Sequence, residues 1–491
     1  MLRCLDPHPS QLLNFILFMD HDNLADRLTG TPQALQQSEL ELLLQKKQQL
    51  LQNQSHATIE AILKENATAP IHVSNAQVTN GQAFRDSFLQ AQLKPLLQSD
   101  LTTLHKLSLG IDKVSRNFTN AGAVKSIAVS LSSPHSNSPF LQRRRRPGYE
   151  IVPVFHIDPV SKFYAKTGTN IGNGEGDTYV QFQLRNIFGG GESLVMDAVK
   201  GTRTPSLYLV NYSQPIWNNP DYMSDTQAYI HTRTMDWIGA STKVRGITTK
   251  IYTQFLKSNH ELVLENCWRS LSNQTSKSLE VLTQLGEDFK TSLIYNWKYD
   301  TRNNLHLPTR GHYYRLGLEY SGILAVNNVR YSKIVAETQH AVELNDSHSI
   351  IGTLKSGFIA ARGSTSSILD RFYMGGPNDV RSFVHNGLGP KLFGSCIGGD
   401  FFVSGGFSLV SRLPAKARDS NFRLHTFVNA GHLALNLRTL NWLQPSVGCG
   451  IGILYNHPMA RFELNVVVPL AAHERDGLRK GIQYGIGMSF L

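Results

Sequence analysis

The chain has 491 residues, of which 17% are charged and 41% hydrophobic, and its 48 lysines and arginines against 37 aspartates and glutamates give a net charge of +11. This length is too great for one ordinary domain. The charged fraction lies below the roughly 25% of average soluble domains, which argues against a solvated, helix-rich enzyme and against a disordered chain. No window provides the roughly 18 uncharged apolar residues of a spanning helix, so a helical membrane protein is excluded.

Residues 1–69 are rich in glutamine and leucine and are predicted to form an N-terminal extension that is partly helical or disordered. The leucines between positions 40 and 51 stand among lysines and glutamines, which is typical of a polar helix with a narrow apolar stripe. Among lysines and arginines, only Arg3 precedes the short apolar run at 12–19, and acidic residues follow that run. We therefore expect no cleaved targeting signal.

Residues 70–158 have the pattern of a small α+β domain. A short alternating strand at 71–73 is followed by apolar residues at helical spacing over 84–114, in two helices. The segments 124–129 and 151–155 then alternate as strands. The predicted order is β-α-α-β-β.

Neither the basic residues nor the cysteines indicate a ligand site. The dense basic cluster Arg143–Arg146 lies beside a Pro-Gly pair without interleaved aromatic residues, so we interpret it as a solvated hairpin loop and predict no nucleic-acid partner. The four cysteines are far apart, without the spacing of a metal site. The chain also lacks the GxSxG, HExxH and P-loop motifs, so we predict no metal, no cofactor, no catalytic residues and no enzymatic activity.

Residues 159–491 alternate along strand after strand, with one face largely apolar and the other polar or glycine. In the last strand, for example, Ile482, Tyr484 and Ile486 alternate with Gln483 and Gly485. Strands of ten or more residues match the length that crosses a bilayer with tilt, and only a closed sheet satisfies every edge N–H and C=O in hydrocarbon. The sequence predicts a transmembrane β-barrel of about sixteen strands, near 161–171, 177–187, 192–202, 205–216, 225–237, 242–255, 259–272, 287–300, 312–322, 327–344, 349–361, 400–413, 422–435, 445–456, 459–470 and 482–491.

One connection in this barrel, at about 362–399, is far longer than the usual loop of roughly 4 to 6 residues. It carries a glycine pair, Gly375 and Gly376, followed by Val380, Arg381, Ser382 and Phe383. A loop of this length in a compact domain is typically functional, so we expect this connection to carry a function.

The chain resembles a known family at these residues: the core barrel subunit of the mitochondrial sorting and assembly machinery, in its fungal form. That family belongs to the POTRA-plus-barrel superfamily of outer-membrane assembly proteins, also called the bacterial surface antigen family. The resemblance covers about residues 70–491. It is carried by RFYMGGPNDVRSF at 371–383, NFRLH at 421–425, NAG at 429–431, HPMARFELN at 457–465, KTGTN at 166–170 and the C-terminal strand.

In that family the long loop folds into the barrel, and a (V/I)RGF tetrapeptide places its arginine against the inner wall. Here the arginine is Arg381, and a buried guanidinium needs anionic or carbonyl partners. The candidates are Asp400, Glu463 and, more weakly, Asn429. Ser382 stands where the family has glycine, so a positive φ is not expected at this position, because serine tolerates it poorly.

The resemblance implies that the protein inserts other β-barrel proteins into the mitochondrial outer membrane. A lateral gate would lie between the first and last barrel strands, where a precursor strand pairs with the exposed edge. The implied gate residues are Lys166, Thr167, Gly168 and Thr169 in the first strand and Gln483, Gly485, Met488 and Phe490 in the last. The glycines at this seam are equally consistent with small residues filling the lumen.

The α+β domain resembles a single POTRA domain, which in this family lies in the intermembrane space. The implied partners are β-barrel precursors, peripheral subunits on the cytosolic face, chaperones of the intermembrane space, transiently a second outer-membrane barrel, and membrane lipid. Two alternatives remain open from the residues: a diffusion pore, and a polypeptide-translocating channel of the same superfamily. The pore does not explain the α+β domain and the glycine-framed loop, and a bacterial channel would carry a signal peptide.

Overall fold

The computed structural model describes residues 47, 61, 64–97, 102–133, 149–172, 175–202, 206–324, 329–363, 366–413, 420–436, 444–457 and 460–487. Most of the predicted extension 1–69, the basic cluster Arg143–Arg146, and the gate residues Met488 and Phe490 therefore lie outside the described residues. The chain divides into two compact units. The first contains residues up to Ser161 with Phe188–Gly191 and Trp217–Pro220, and the second contains the remainder.

The first unit contains a small α+β domain with one apolar core. Its elements are β1 Pro70–Val73, β2 Gln77–Thr79, a 3-10 turn Gly81–Ala83, α1 Asp86–Leu97, β3 Thr102–Thr103, α2 Leu104–Asn120, β4 Val124–Ser132 and β5 Tyr149–Pro159. Helix α2 begins after Thr103, whose hydroxyl accepts a hydrogen bond from the N–H of Lys106 at 3.4 Å. Phe88, Phe118 and Phe155 are fully buried between the helices and the sheet, so apolar burial holds this domain together.

The order of elements corrects the predicted β-α-α-β-β. Two additional short strands are present: β2 precedes the helices, and β3 lies between them. Strand β5 is parallel to β1 and β2 and antiparallel to β4. Strands of three and two residues, such as β2 and β3, are too short to show an alternating period in sequence, which explains the difference.

The second unit is the predicted barrel, and the count of sixteen strands is confirmed. The strands are β6 Phe163–Gly172, β7 Glu175–Arg185, β8 Ser193–Gly201, β9 Ser206–Ile216, β10 Asn219–Met235, β11 Ala240–Thr253, β12 Ser258–Asn273, β13 Gly286–Asp300, β14 Gly311–Ser321, β15 Tyr331–Asn345, β16 His348–Ala361, β19 Phe401–Arg412, β20 Phe422–Ala434, β21 Ser446–Asn456, β22 Arg461–Ala471 and β23 Gly481–Gly487. A short helix, α3 Leu279–Leu282, precedes β13, and a small hairpin, β17 Lys391–Leu392 and β18 Ser395–Cys396, lies within the long loop.

Each strand of this sheet pairs with its neighbour in chain order, and β16 pairs with β19 across the long loop. The alternation in sequence becomes two faces. In β22, Phe462 and Leu464 point outward and are exposed, whereas Glu463 and Asn465 are buried on the inner side. An apolar exterior and a polar interior are the expected faces of a transmembrane barrel. Among the described residues, no helix has both the length and the apolar character to cross a membrane.

Candidate functional site in the barrel lumen

The long loop has an apolar core of its own inside the barrel. Met374, Val380, Phe383 and Leu388 are buried together against Leu433 of β20. The turn that brings them together needs the left-handed conformations of the glycine pair predicted to frame it, Gly375 (φ 106) and Gly376 (φ 125). The N–H of Gly376 donates to the carbonyl of Val380 at 3.2 Å, which closes the turn just before the arginine.

Arg381 is completely buried and forms a two-pronged ion pair with Glu463 of β22. Its Nε donates to Oε2 at 3.0 Å, and its Nη2 donates to Oε1 at 3.1 Å. The guanidinium also lies over the ring of Phe427 at 4.6 Å from the centroid. Glu463 in turn contacts Arg461 at 2.5 Å and accepts from Asn465 Nδ2 at 2.8 Å. One carboxylate thus pairs with two buried guanidinium groups. The planar guanidinium of Arg381 can make the two-pronged contact, which a lysine ammonium cannot.

The other two residues predicted as partners of Arg381 are corrected by the structure. Asp400, at the start of β19, accepts from the hydroxyl of Ser366 and lies 3.9 Å from Arg371 Nε. Asn429 is buried, and neither polar atom of its side chain has a hydrogen-bond partner. The path of the loop directs Arg381 to β22, whereas Asp400 lies at the far end of the loop and Asn429 on β20.

Ser382 adopts the left-handed conformation, with φ 76, although its replacement of glycine indicated otherwise. Its N–H donates to Gln483 Oε1 at 3.2 Å, and its carbonyl accepts from the N–H of Arg479 at 2.9 Å. A Cβ on Gly448 would lie 2.7 Å from Ser382 Oγ, so the missing side chain at Gly448 makes room for the serine. Backbone hydrogen bonds and this space together hold a conformation that costs serine of order 1 kcal/mol or more.

The loop is also joined to the terminal hairpin by one side-chain and two main-chain hydrogen bonds. Asn378 Nδ2 donates to the carbonyl of Ile486 at 2.9 Å. The N–H of Val384 donates to the carbonyl of Gly477, and the N–H of Gly477 donates to the carbonyl of Gly387, each at 2.8 Å. Phe383 forms an isolated antiparallel bridge with Leu478. The loop and the turn between β22 and β23 therefore form one hydrogen-bonded unit.

The residues predicted for the gate occupy the two ends of the sheet. In β6, Lys166 lies with its ammonium 5.4 Å from the ring centroid of Tyr179. The hydroxyl of Thr167 donates to the Tyr179 carbonyl at 3.1 Å, Gly168 leaves room for the Tyr179 ring, and Thr169 pairs with Thr178 of β7.

In β23, Gln483 is buried and faces the loop, and Gly485 pairs with Glu463. The sheet runs from β6 to β23, and within the described ranges no ladder pairs these two strands with each other. The structure therefore does not bring the two sets of gate residues together in the part of the chain that it describes.

A second buried anchor of the loop was missed by the sequence reasoning. Asp370 Oδ1 accepts from Arg269 at 2.8 Å and from the hydroxyl of Tyr331 at 2.9 Å, and Lys290 Nζ lies 3.5 Å away. Lys333 donates to the Asp370 carbonyl at 2.9 Å. Burial opposes ionisation of this loop carboxyl, but Arg269 and Lys290 outweigh it and lower the pKa of Asp370 to about 2.

The signal that could have revealed this anchor is the pair of inward-facing cations, Arg269 and Lys290, in strands β12 and β13. A buried cation in a barrel lumen requires an acid, and Asp370 begins the motif of the loop. Next to it, Arg371 pairs with Glu280 at 2.7 Å and donates to the Ile397 carbonyl at 3.1 Å. The loop is thus ion-paired to two parts of the barrel wall: its Asp370 to Arg269 and Lys290 of β12 and β13, and its Arg381 to Glu463 of β22.

In the part of the chain that the structure describes, no group of three or more His, Cys, Asp or Glu side chains is placed to hold a metal ion. The lumenal groups instead form ion pairs and hydrogen bonds that position a loop. The chain combines a small α+β domain with a sixteen-stranded sheet whose lumenal loop is ion-paired to the wall. These features define its class, the outer-membrane β-barrels with an N-terminal α+β domain.

Comparisons with known proteins give the family. Residues 186–490 match the model of the Omp85 superfamily domain. A SAM50-like protein of Schizosaccharomyces pombe is 30% identical over 454 residues, covering 88% of this chain and 94% of that protein. The sorting assembly machinery 50 kDa subunit of Saccharomyces cerevisiae is 30% identical over 473 residues, covering 88% and 96%. The chain belongs to the Omp85 superfamily and, within it, to the SAM50 family.

The fold is similar to that of solved structures at much lower identity. BamA from Haemophilus ducreyi lacking POTRA domains 1–3 aligns with a TM-score of 0.68 at 14% identity, covering 85% of this chain and 84% of that chain. CdiB from Acinetobacter baumannii aligns with a TM-score of 0.51 at 12% identity, covering 84% and 73%. The predicted family and the predicted mostly-β fold are therefore confirmed.

Proposed function

We propose that this protein folds β-barrel precursors and inserts them into the mitochondrial outer membrane through a lateral gate between β6 and β23. The observation that carries the proposal is the lumenal loop, which is fastened to the terminal hairpin β22–β23 by the Arg381–Glu463 pair and by main-chain hydrogen bonds. Membership of the SAM50 family supports the same role.

The gate acts through backbone chemistry. An edge strand presents a row of unpaired N–H and C=O groups, and in hydrocarbon each such group must find a partner. The terminal strand of a precursor satisfies them by adding to β6 as a new strand, and because main-chain hydrogen bonds are independent of side chains, one edge accepts many precursors. Lys166, Thr167, Gly168 and Thr169 are the proposed pairing segment.

The loop gives the other side of the gate its rigidity. Because Asn378 bonds to the Ile486 carbonyl and Ser382 to Gln483, the last strand is supported from inside the lumen. Gly485, Met488 and Phe490 complete the proposed last-strand side. On this basis Arg381 is a positioning residue, which holds the loop against β22 while precursor strands are added and released.

The proposal also covers location and partners. The α+β domain lies in the intermembrane space and receives precursors from chaperones there, while peripheral subunits of the sorting and assembly machinery bind at the cytosolic face. A second barrel and membrane lipid contact the exterior. No nucleic acid and no catalytic step are involved.

The test is site-specific cross-linking of a precursor to β6. Single cysteines replace Thr167 or Thr169 in the full chain, in a background without its four native cysteines, and a labelled porin precursor carries single cysteines along its terminal strand. We expect disulfides whose partners shift by two residues along the precursor when the β6 cysteine shifts by two, because strands pair in register.

The matched control is Thr178→Cys, which lies on β7 directly opposite Thr169 and inside the ladder. It should give no cross-link. Equal cross-linking from β6 and β7, or none from β6 while the precursor still becomes alkali-resistant, would reject the gate. Normal precursor insertion in membranes depleted of this protein would reject insertion altogether and favour a diffusion pore.

A further inference from the structure

The outer face of the barrel carries an apolar groove across strands β7 to β12. It encloses about 730 Å³ and is lined by outward-facing side chains that include Phe182, Tyr208, Ile230, Ile247 and Trp268. This volume lies within the range of small-ligand sites. The groove faces away from the lumen and is separate from the loop and its ion pairs.

Two charged residues line this groove, Asp197 of β8 and Arg245 of β11. Asp197 follows the exposed Met196, so alternation directs it to the inner face, and Arg245 is the charged residue on the outer face of the groove. The register places Arg245 of β11 directly between Ile230 of β10 and Trp268 of β12, which are 44% and 48% exposed on the outer face. Within the described ranges, Arg245 forms no ion pair with an acidic side chain. A guanidinium next to hydrocarbon needs an anion, and the outward neighbours of Arg245 across both ladders, Ile230 and Trp268, are uncharged. An acid on this outer face, Glu287 of β13, lies one row further towards the water and two strands away from β11.

The rows on either side of Arg245 differ in polarity. Towards the β10–β11 turn, the next outward row is Thr232, Lys243 and Ser270, and beyond it the hydroxyls of Ser241 and Ser272 are hydrogen-bonded at 2.7 Å. In the other direction the outward positions of β11 are occupied by Ile247, Thr249 and Ile251. Arg245 therefore lies where the exterior changes from apolar to polar.

A tryptophan lies at the same depth on the outer face as Arg245. Trp268, opposite Arg245, packs against Phe289 of β13 with ring centroids 4.8 Å apart and the ring planes tilted by 44°. Tryptophan is concentrated at the membrane–water interface in β-barrels. The β10–β11 turn lies at the same end of the barrel as the long loop, since Cys396 donates its N–H to the carbonyl of Trp237 at 2.7 Å. The two cations therefore lie at headgroup level at the loop end.

We propose that this surface binds an anionic phospholipid. The phosphate is held by Arg245, with Lys243 one row further towards the water, and an acyl chain lies in the groove against Phe182, Tyr208 and Ile247. A guanidinium matches the geometry of phosphate oxygens. On the three neighbouring strands β10, β11 and β12 the outer face changes from apolar to polar at the same depth. The occupant is therefore an amphiphile, with its charged group and its hydrocarbon on either side of that depth.

Trp268 provides the measurement. The full-length protein is reconstituted in phosphatidylcholine containing brominated phosphatidylglycerol or, in the reference arm, brominated phosphatidylcholine, and quenching of tryptophan fluorescence is recorded. The signal of Trp268 is isolated by subtracting the same experiment with Trp268→Phe. We expect brominated phosphatidylglycerol to be preferred at Trp268 by about five-fold per engaged cation.

Substitutions at Arg245 and at Ala228 separate the effect of the charge from that of the groove. Arg245→Ala should reduce the preference by about five-fold, with Arg245→Lys restoring most of it. Ala228→Phe, which fills the groove without changing charge, should reduce quenching by both lipids. Lys200→Ala is the matched control. Lys200 of β8 is an exposed cation at the same end of the barrel as Arg245, and it does not line the groove.

Equal quenching by the two lipids in the unaltered protein, or an unchanged preference in Arg245→Ala, would overturn the proposal. Loss of preference on addition of inorganic phosphate would assign the cations to a free anion and also overturn it. The experiment contains no precursor, so its result is independent of the proposed insertion function.

Discussion

Removal of Glu463 should be more damaging than removal of Arg381, although the two side chains form one ion pair. Both are completely buried, and Arg381 donates to the carboxylate at 3.0 and 3.1 Å. The difference arises from Arg461, which contacts the same carboxylate at 2.5 Å. Arg381→Ala leaves Glu463 paired with Arg461, whereas Glu463→Ala leaves two buried guanidinium groups without their acid.

The magnitudes follow from this asymmetry. Arg381→Ala loses two charge-assisted hydrogen bonds, each worth about 1.5 to 3 kcal/mol, but it leaves no unpaired charge. Glu463→Ala leaves buried charges without a partner. Removing one partner of a buried ion pair typically costs about 3 to 5 kcal/mol, and here two cations lose their partner. We expect Glu463→Ala to lower the unfolding free energy of the barrel by at least about 2 kcal/mol more than Arg381→Ala.

The assay is urea unfolding of the purified full-length protein in micelles, followed by tryptophan fluorescence, with assembly of a labelled porin precursor measured in parallel. Arg381→Lys tests geometry, because it keeps the charge but loses the two-pronged contact. Equal destabilisation by Glu463→Ala and Arg381→Ala, or a greater effect of Arg381→Ala, would refute the shared-carboxylate reasoning. Normal precursor assembly in Arg381→Ala would refute the positioning role of the loop.

Other predictions concern the second anchor, the strained serine and the last strand. Asp370→Asn should release the start of the loop and increase its cleavage by added protease, whereas Asp379→Asn, which loses only a contact to the Gly375 N–H, should not. Gly448→Ala should slow precursor assembly, because its Cβ would lie 2.5 Å from the Arg381 carbonyl; unchanged kinetics would contradict this packing. Met488→Asp, predicted to face lipid, should lower the membrane level of the protein through a cost of about 2 kcal/mol, and normal levels on immunoblots would contradict that register.

Local sequence was sufficient for the barrel. Alternation has a period of two and needs no knowledge of distant residues, so the sixteen strands could be placed, with the largest difference the start of β10, predicted at 225 and observed at Asn219. The long glycine-bearing connection between β16 and β19 was also evident. The same reasoning failed in the α+β domain at β2 and β3, where the strands are too short to show a period.

Tertiary structure alone decided how the loop is held. Arg381 and Glu463 are 82 positions apart, and Arg269 and Asp370 are 101 apart, so each pairing depends on the loop path and on strand register. Sequence could offer Asp400 and Glu463, and more weakly Asn429, as acceptors, but only the folded chain brings Glu463 to the guanidinium. The folded chain also allows the left-handed conformation of Ser382, because Gly448 on β21 leaves room for the serine side chain. Periodicity is a property of neighbours, whereas a buried ion pair is a property of the whole fold.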